Sequence, residues 1–102
     1  MVTVALQGDQ GKLRPALIVQ ADLFSELGSV TVLPITSTLT DAPLLRLLIA
    51  PSEATGLERA SQIMLDKPQT PSRARIGKVI GRLDDTAMLA VSRALAVFLG
   101  IA

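Results

Sequence analysis

Gly11-Lys12-Leu13-Arg14-Pro15-Ala16-Leu17-Ile18-Val19-Gln20 is the stretch on which the reading of this chain turns. Ala16 to Gln20 reads as an apolar strand, entered from a glycine-bearing loop, Gly8-Asp9-Gln10-Gly11. Proline fixes φ and cannot donate to a ladder, so Pro15 is expected at a strand start or on a sheet edge, and it drives Arg14 into an extended conformation. Arg14 should then project from the mouth of the strand, rigidly held and wet. An isolated Arg-Pro would be no more than a surface arginine beside a turn, so the rest of the chain decides.

Working outward, strand-like runs recur at short spacing: Val2 to Leu6, Val30 to Leu33, Leu44 to Ala50, Ile63 to Leu65 and Ile76 to Leu83. Turn signals separate them, at Ser37 to Pro43 and Pro51 to Gly56. This spacing predicts a small, strongly bent antiparallel sheet or barrel and not parallel βαβ units. Ala21 to Leu27 suits a short helical turn ended by Gly28. Neither a repeat nor a linker divides the chain, and 102 residues make one domain, residues 1–102.

The terminal segment has a different period. Asp84 is a good N-cap, Asp85 favours the positive end of a helix dipole, and Gly100 is a natural C-terminal stop. Met88, Val91, Leu95 and Phe98 recur at helical spacing, while Leu89, Ala94, Val97 and Leu99 carry apolar character onto other faces. One sheet covers one side of such a helix, so the remainder is expected to meet a second copy in a homodimer. The aliphatic core points the same way: 49% of residues are hydrophobic, but only Phe24 and Phe98 are aromatic.

Composition narrows the chemistry. Without cysteine there is no disulfide framework and no thiolate chemistry. Without histidine the usual general acid/base, the usual zinc ligand and every Ser-His arrangement are missing. Any enzyme here works with Arg, Lys, Asp, Glu, Ser and Thr, with no metal and no cofactor expected. No apolar run approaches the roughly 20 residues of a membrane span, and the N-terminus lacks a signal-peptide pattern, so a cytoplasmic location is expected. Ten basic and nine acidic residues leave a net charge of +1, so any nucleic-acid surface must be local. Lys12, Arg14, Lys67, Arg73, Arg75 and Lys78 are the cations available for it.

Thr36-Ser37-Thr38 follows Pro34-Ile35 at a strand end and places three hydroxyls at a loop exit. A third block runs Ser61-Gln62-Ile63-Met64-Leu65-Asp66-Lys67-Pro68-Gln69-Thr70, then Arg75-Ile76-Gly77 and Ile80-Gly81-Arg82-Leu83. In order and spacing, the Gly-Lys-X-Arg-Pro-Ala-Leu-Ile-Val strand, the Val-Leu-Pro-Ile-Thr-Ser strand end and this third block resemble the MazF/PemK (Kid) family of ribonuclease toxins of toxin–antitoxin modules. The resemblance runs from Val2 into the terminal helix.

It implies a mainly β (α+β) fold, a small SH3-like antiparallel β-barrel with a C-terminal α-helix. It implies a metal-independent endoribonuclease acting on single-stranded RNA, a cognate antitoxin as partner, and Arg14 and Thr36 as active-site partners. Asp66 aligns with an acidic turn position that some members use in acid/base work; from the residues alone it is equally a turn-forming aspartate before Lys67-Pro68. Lys12, Ser37, Thr38, Gln62, Lys67, Gln69 and Arg73 are the expected RNA contacts. A guanidinium matches two phosphate oxygens at once and suits the anion that develops at phosphorus, which fits Arg14, with Thr36 donating a further hydrogen bond.

Three departures from the family pattern stand out. Kid-type members carry an arginine where this chain has Met64, and the first-loop histidine of some members has no counterpart. In the family an Arg-Gly-Asp or Arg-Gly-Glu segment usually precedes the first strand, and since this sequence opens directly on Val2 to Leu6, part of that strand is expected to be absent from it. A gyrase poison of the CcdB type, whose tail resembles Val97 to Ala102 but carries a tryptophan where Leu99 stands, is the competing reading. An inactive interaction module of the same fold is another.

Overall fold

The computed structural model describes residues 1–6 and 11–101; apart from Gly11, the expected first loop lies outside the described residues. Six strands, β1 (Val2–Ala5), β2 (Leu13–Ile18), β3 (Val32–Thr36), β4 (Arg46–Ile49), β5 (Ser61–Met64) and β6 (Ile76–Val79), precede helix α1 (Asp85–Leu99). Short 3-10 turns at Asp22–Phe24 and Arg73–Arg75 complete the elements. All pairings are antiparallel, in the order β4-β5-β3-β2-β1-β6.

The antiparallel sheet with a terminal helix is as expected; the sheet is open, with β4 and β6 as its edges, and does not close fully into a barrel. Its curl brings the chain beyond β6 against the loop beyond β4: the Arg82 N–H donates to the Ala54 carbonyl at 2.7 Å. Glycine permits that approach. A Cβ on Gly56 (φ +75°) would lie 2.0 Å from the Ile80 carbonyl oxygen, and one on Gly81 would lie 2.2 Å from the Thr55 carbonyl carbon. This contact ends β6 at Val79, short of the expected Leu83.

Alternation along the central strands divides their side chains between two clusters. Leu17, Leu33, Ile35, Ile63 and Leu65 form a core with Leu83 and Val91, against which Ala87, Met88, Ala94 and Leu95 of α1 pack. Val4, Ala16, Val30 and Val32 form a second cluster. Helix α1 starts where expected, the Asp84 carboxylate accepting from the Ala87 N–H at 2.7 Å, and stops at Gly100 with φ +75°. Val91 is its one buried residue, while Leu89, Val97, Phe98 and Leu99 remain exposed.

Strand β2 begins at Leu13, earlier than Ala16, so Arg14 and Pro15 lie inside the strand and not at its mouth. The ladders explain how the prolines are tolerated. Pairing of β2 with β3 starts at Ala16↔Pro34, leaving Pro15 outside that ladder, and pairing of β3 with β5 starts at Ile35↔Ile63, leaving Pro34 outside that one. Each proline stands where one neighbouring strand is not yet bonded, and the surface opens beside both.

Candidate active site

The register builds the site. Ala16 faces Pro34 and Ile18 faces Val32; the ladder ends there, and Arg14 and Thr36 are the next residues on the same face of β2 and β3. Side chains two apart share a face, and directly opposed residues are nearest neighbours across strands. The two residues therefore share one face of the sheet, although 22 positions apart in sequence by their numbering. On the same face β1 contributes Val4 opposite Arg14, and β5 contributes Gln62 opposite Thr36.

A cleft of about 390 Å³ opens there, walled by Arg14, Pro15, Pro34, Thr36, Ser37, Thr38, Met64, Lys67 and Gln69 among others. Arg14 is exposed and Thr36 half-buried. The Thr36 Oγ1 accepts from the Thr38 N–H at 3.0 Å. A hydroxyl has one proton and two lone pairs, so this bond folds the loop and leaves the proton to donate to an anion in the cleft. With Arg14, Lys67 and the four hydroxyl residues Thr36, Ser37, Thr38 and Ser61 on its walls, the cleft has the donors and positive charge that a phosphodiester requires.

The expected site residues do not all reach it. Arg14, Thr36, Ser37, Thr38, Lys67 and Gln69 line the cleft; Lys12, Gln62, Asp66 and Arg73 are not among its lining residues. Gln62 is buried and clamps the following loop, its amide accepting from the Thr40 N–H at 3.0 Å and donating to the Thr40 carbonyl at 2.9 Å. Arg73 is tied to the far end of the β2–β3 hairpin, its Nε donating to the Leu27 carbonyl at 2.8 Å. Phe24, the only aromatic near the hairpin, lies at that far end too. Lys12 is exposed just ahead of β2.

Asp66 pairs with Arg46, whose Nη1 also donates to the Leu45 carbonyl. Partial burial alone would raise the Asp66 pKa. The Arg46 hydrogen bond, a backbone hydrogen bond and the charges of Arg46 and Lys67 outweigh it and hold the carboxyl below its ordinary value. Arg46 sits opposite Met64, and Met64 lines the cleft. The ion pair thus abuts the cleft wall and fixes the turn that carries Lys67. Sequence reasoning missed Arg46; the available signal was a lone charge in the apolar run Leu44 to Ile49, which must find a counter-charge when its strand is half covered.

The chain is thus a small α+β domain, an antiparallel sheet with one terminal helix and a basic, hydroxyl-lined cleft over its central strands. A family model described as "PemK-like, MazF-like toxin of type II toxin-antitoxin system" matches residues 1–99. "Probable endoribonuclease MazF" of Mycolicibacterium smegmatis is 52% identical over 92 residues, covering 90% of this chain and 84% of that protein. The solved "Mycobacterium tuberculosis toxin MazF-mt6" is similar with a TM-score of 0.82 at 26% identity, covering 100% of this chain and 99% of that one. "Endoribonuclease in complex with its cognate antitoxin from Mycobacterial species" shares the fold, with a TM-score of 0.82 at 22% identity over 99% of this chain and 91% of that one. The chain belongs to the PemK-like, MazF-like family of toxins of type II toxin–antitoxin systems.

Proposed function

We propose that the protein, a single domain over residues 1–102, is an endoribonuclease toxin that cuts single-stranded RNA by attack of the 2′-hydroxyl on its own phosphodiester. The observation that carries this reading is that Arg14 and Thr36, on neighbouring strands, line one cleft. Arg14 holds the non-bridging oxygens and stabilises the charge that builds on them as the 2′-oxygen bonds to phosphorus. Thr36 donates its remaining proton to the same group. The bond to the 5′-oxygen breaks, the 5′-oxygen takes up a proton, and the products carry a 2′,3′-cyclic phosphate and a 5′-hydroxyl.

Lys67, Ser37, Thr38 and Gln69 extend the binding surface along the cleft, with the exposed Lys12 as a further contact, whereas Gln62 and Arg73 are held by Thr40 and Leu27 and add none. Asp66 is the candidate base for the 2′-hydroxyl. Its carboxylate is ionised at neutral pH, but its pairing with Arg46 weakens its basicity, so its part is smaller than that of Arg14. Charge stabilisation by a fixed guanidinium needs no metal.

The exposed side of α1, with Leu89, Val97 and Phe98, and the outward Val79 of the edge strand β6 form the surface for a homodimer. A cognate antitoxin is the second partner, entering through a segment that orders on the toxin and blocks the cleft. Among the described residues no helix is long and apolar enough to cross a membrane, which accords with action in the cytoplasm, where messenger RNA is found.

Incubation with a single-stranded RNA panel in excess chelator, followed by mapping of 5′ ends, tests the proposal. Cuts at a short recurrent motif, with 5′-hydroxyl ends, are expected. Intact RNA together with inhibited DNA supercoiling would instead favour the gyrase-directed reading, which the family match and the 52% identical relative do not support.

A further inference from the structure

Arg14 also walls a second hollow, of about 430 Å³, on the other side of the same rim. Arg14, Pro15, Ser37 and Ser61 belong to both hollows, so the two are contiguous. The second adds Leu13, Leu57, Glu58 and Arg59, residues absent from the first. We propose that this second hollow is a nucleotide subsite: it holds the nucleotide adjoining the scissile phosphate on the same RNA strand, with Arg59 on that nucleotide's phosphate. The inference rests on the RNA-cleaving reading above and extends it to a residue outside the first cleft.

Three observations support it. The guanidinium of Arg59 is exposed and takes part in no hydrogen bond or ion pair among the described residues. Its backbone, in contrast, is anchored. The Ser61 Oγ donates to the Arg59 carbonyl at 2.9 Å, Ser52 bridges to Leu57, and the preceding turn is pinned at Gly56 against Ile80. With the backbone already anchored, binding an anion has only the Arg59 side chain left to order. Finally, the hollow pairs this cation with apolar surface from Leu13, Pro15 and Leu57, and a nucleotide has a charged phosphate and an apolar base face. Glu58 is the acidic side chain on these walls and opposes the phosphate, which gives a second variant with an effect of opposite sign.

Once a cut site is mapped, two substrates separate this inference from the reading beneath it: a minimal RNA spanning the cut, and the same RNA extended on both sides. Arg59→Ala should raise KM on the extended substrate about tenfold with a smaller change in kcat, and should lose less on the minimal one. Its binding of an uncleavable strand, deoxy at the cut, should depend less steeply on salt, by about 0.7 in the log–log slope for one lost phosphate contact. Arg59→Lys should keep the wild-type slope, and Glu58→Gln should tighten binding two- to threefold. Wild-type KM and salt slope in Arg59→Ala would overturn the subsite while leaving the nuclease intact. Failure of the wild-type protein to cut any RNA would overturn the nuclease reading itself, and the subsite with it.

Discussion

The two ends of the β2–β3 hairpin carry polar side chains in similar numbers and use them differently. At one end Arg14 and Thr36 line a cleft that opens where the ladders start late, beyond Pro15 and Pro34. At the other, Gln20 accepts from the Thr31 N–H at 2.9 Å and donates to the Phe24 carbonyl at 3.3 Å, while Arg73 donates to the Leu27 carbonyl at 2.8 Å. The far-end groups hold a loop in which Leu23, Phe24 and Leu27 are exposed. The difference is one of backbone supply: a connection with few ladder bonds draws nearby amides and guanidiniums onto its own carbonyls. At the other rim the late ladders leave an open cleft, with Arg14 and Thr36 on its walls.

The contrast makes graded predictions. Arg14→Ala should lower kcat/KM for RNA by about 10²–10³-fold with an unchanged melting temperature, as expected when a preorganised charge at the transition state is removed. An Arg14→Ala protein that cuts normally would erase the distinction between the two ends. Thr36→Val removes one donor to an anion, and a loss of about 10–100-fold is expected in kcat/KM, with Thr36→Ser keeping most of the activity. Equal losses in the serine and valine variants would mean that the methyl group, and not the hydroxyl, matters.

Asp66→Asn should slow cleavage about tenfold and alter acid stability. The folded carboxyl titrates below its unfolded counterpart, so between those two pKa values the unfolded chain binds the extra proton. The stabilisation is complete above the ordinary carboxylate range and is lost as pH falls through the folded value. Melting curves from about pH 5 to pH 2 should therefore fall less steeply in Asp66→Asn than in wild type. Parallel curves would show that the Arg46 pair contributes nothing to stability. The smallest catalytic effect is expected at the far end: Arg73→Ala should lower the melting temperature by a few °C and change kcat/KM no more than about threefold.

Much of the fold was legible because its signals are local. Asp84 and Gly100 bound the helix through their own capping geometry, and the six apolar runs all became strands. Strand limits were less legible. The Arg-Pro pair sits within β2 because late ladder formation, a tertiary fact, excuses the missing N–H. The curl of the open sheet also depended on distant contacts, between Ala54 and Arg82 and around Gly56.

At the site, Arg14 and Thr36 were legible together because proline marks both segments. The amide of Gln62 gave no hint that Thr40 would occupy it, since a glutamine in a strand has the same sequence pattern whether it faces a ligand or a loop. Arg46 and Arg59 were passed over because neither has a neighbouring motif; only the folded chain shows one beside Asp66 and the other beside Arg14.

The central claim, that one phosphate is gripped jointly by residues 14 and 36, is tested most directly by a double-mutant cycle on kcat/KM with Arg14→Ala, Thr36→Val and the pair. A shared phosphate predicts coupling: the double variant should lose at least about tenfold less than the product of the two single losses. Losses that multiply fully would mean that the guanidinium and the hydroxyl act independently, and would contradict the account.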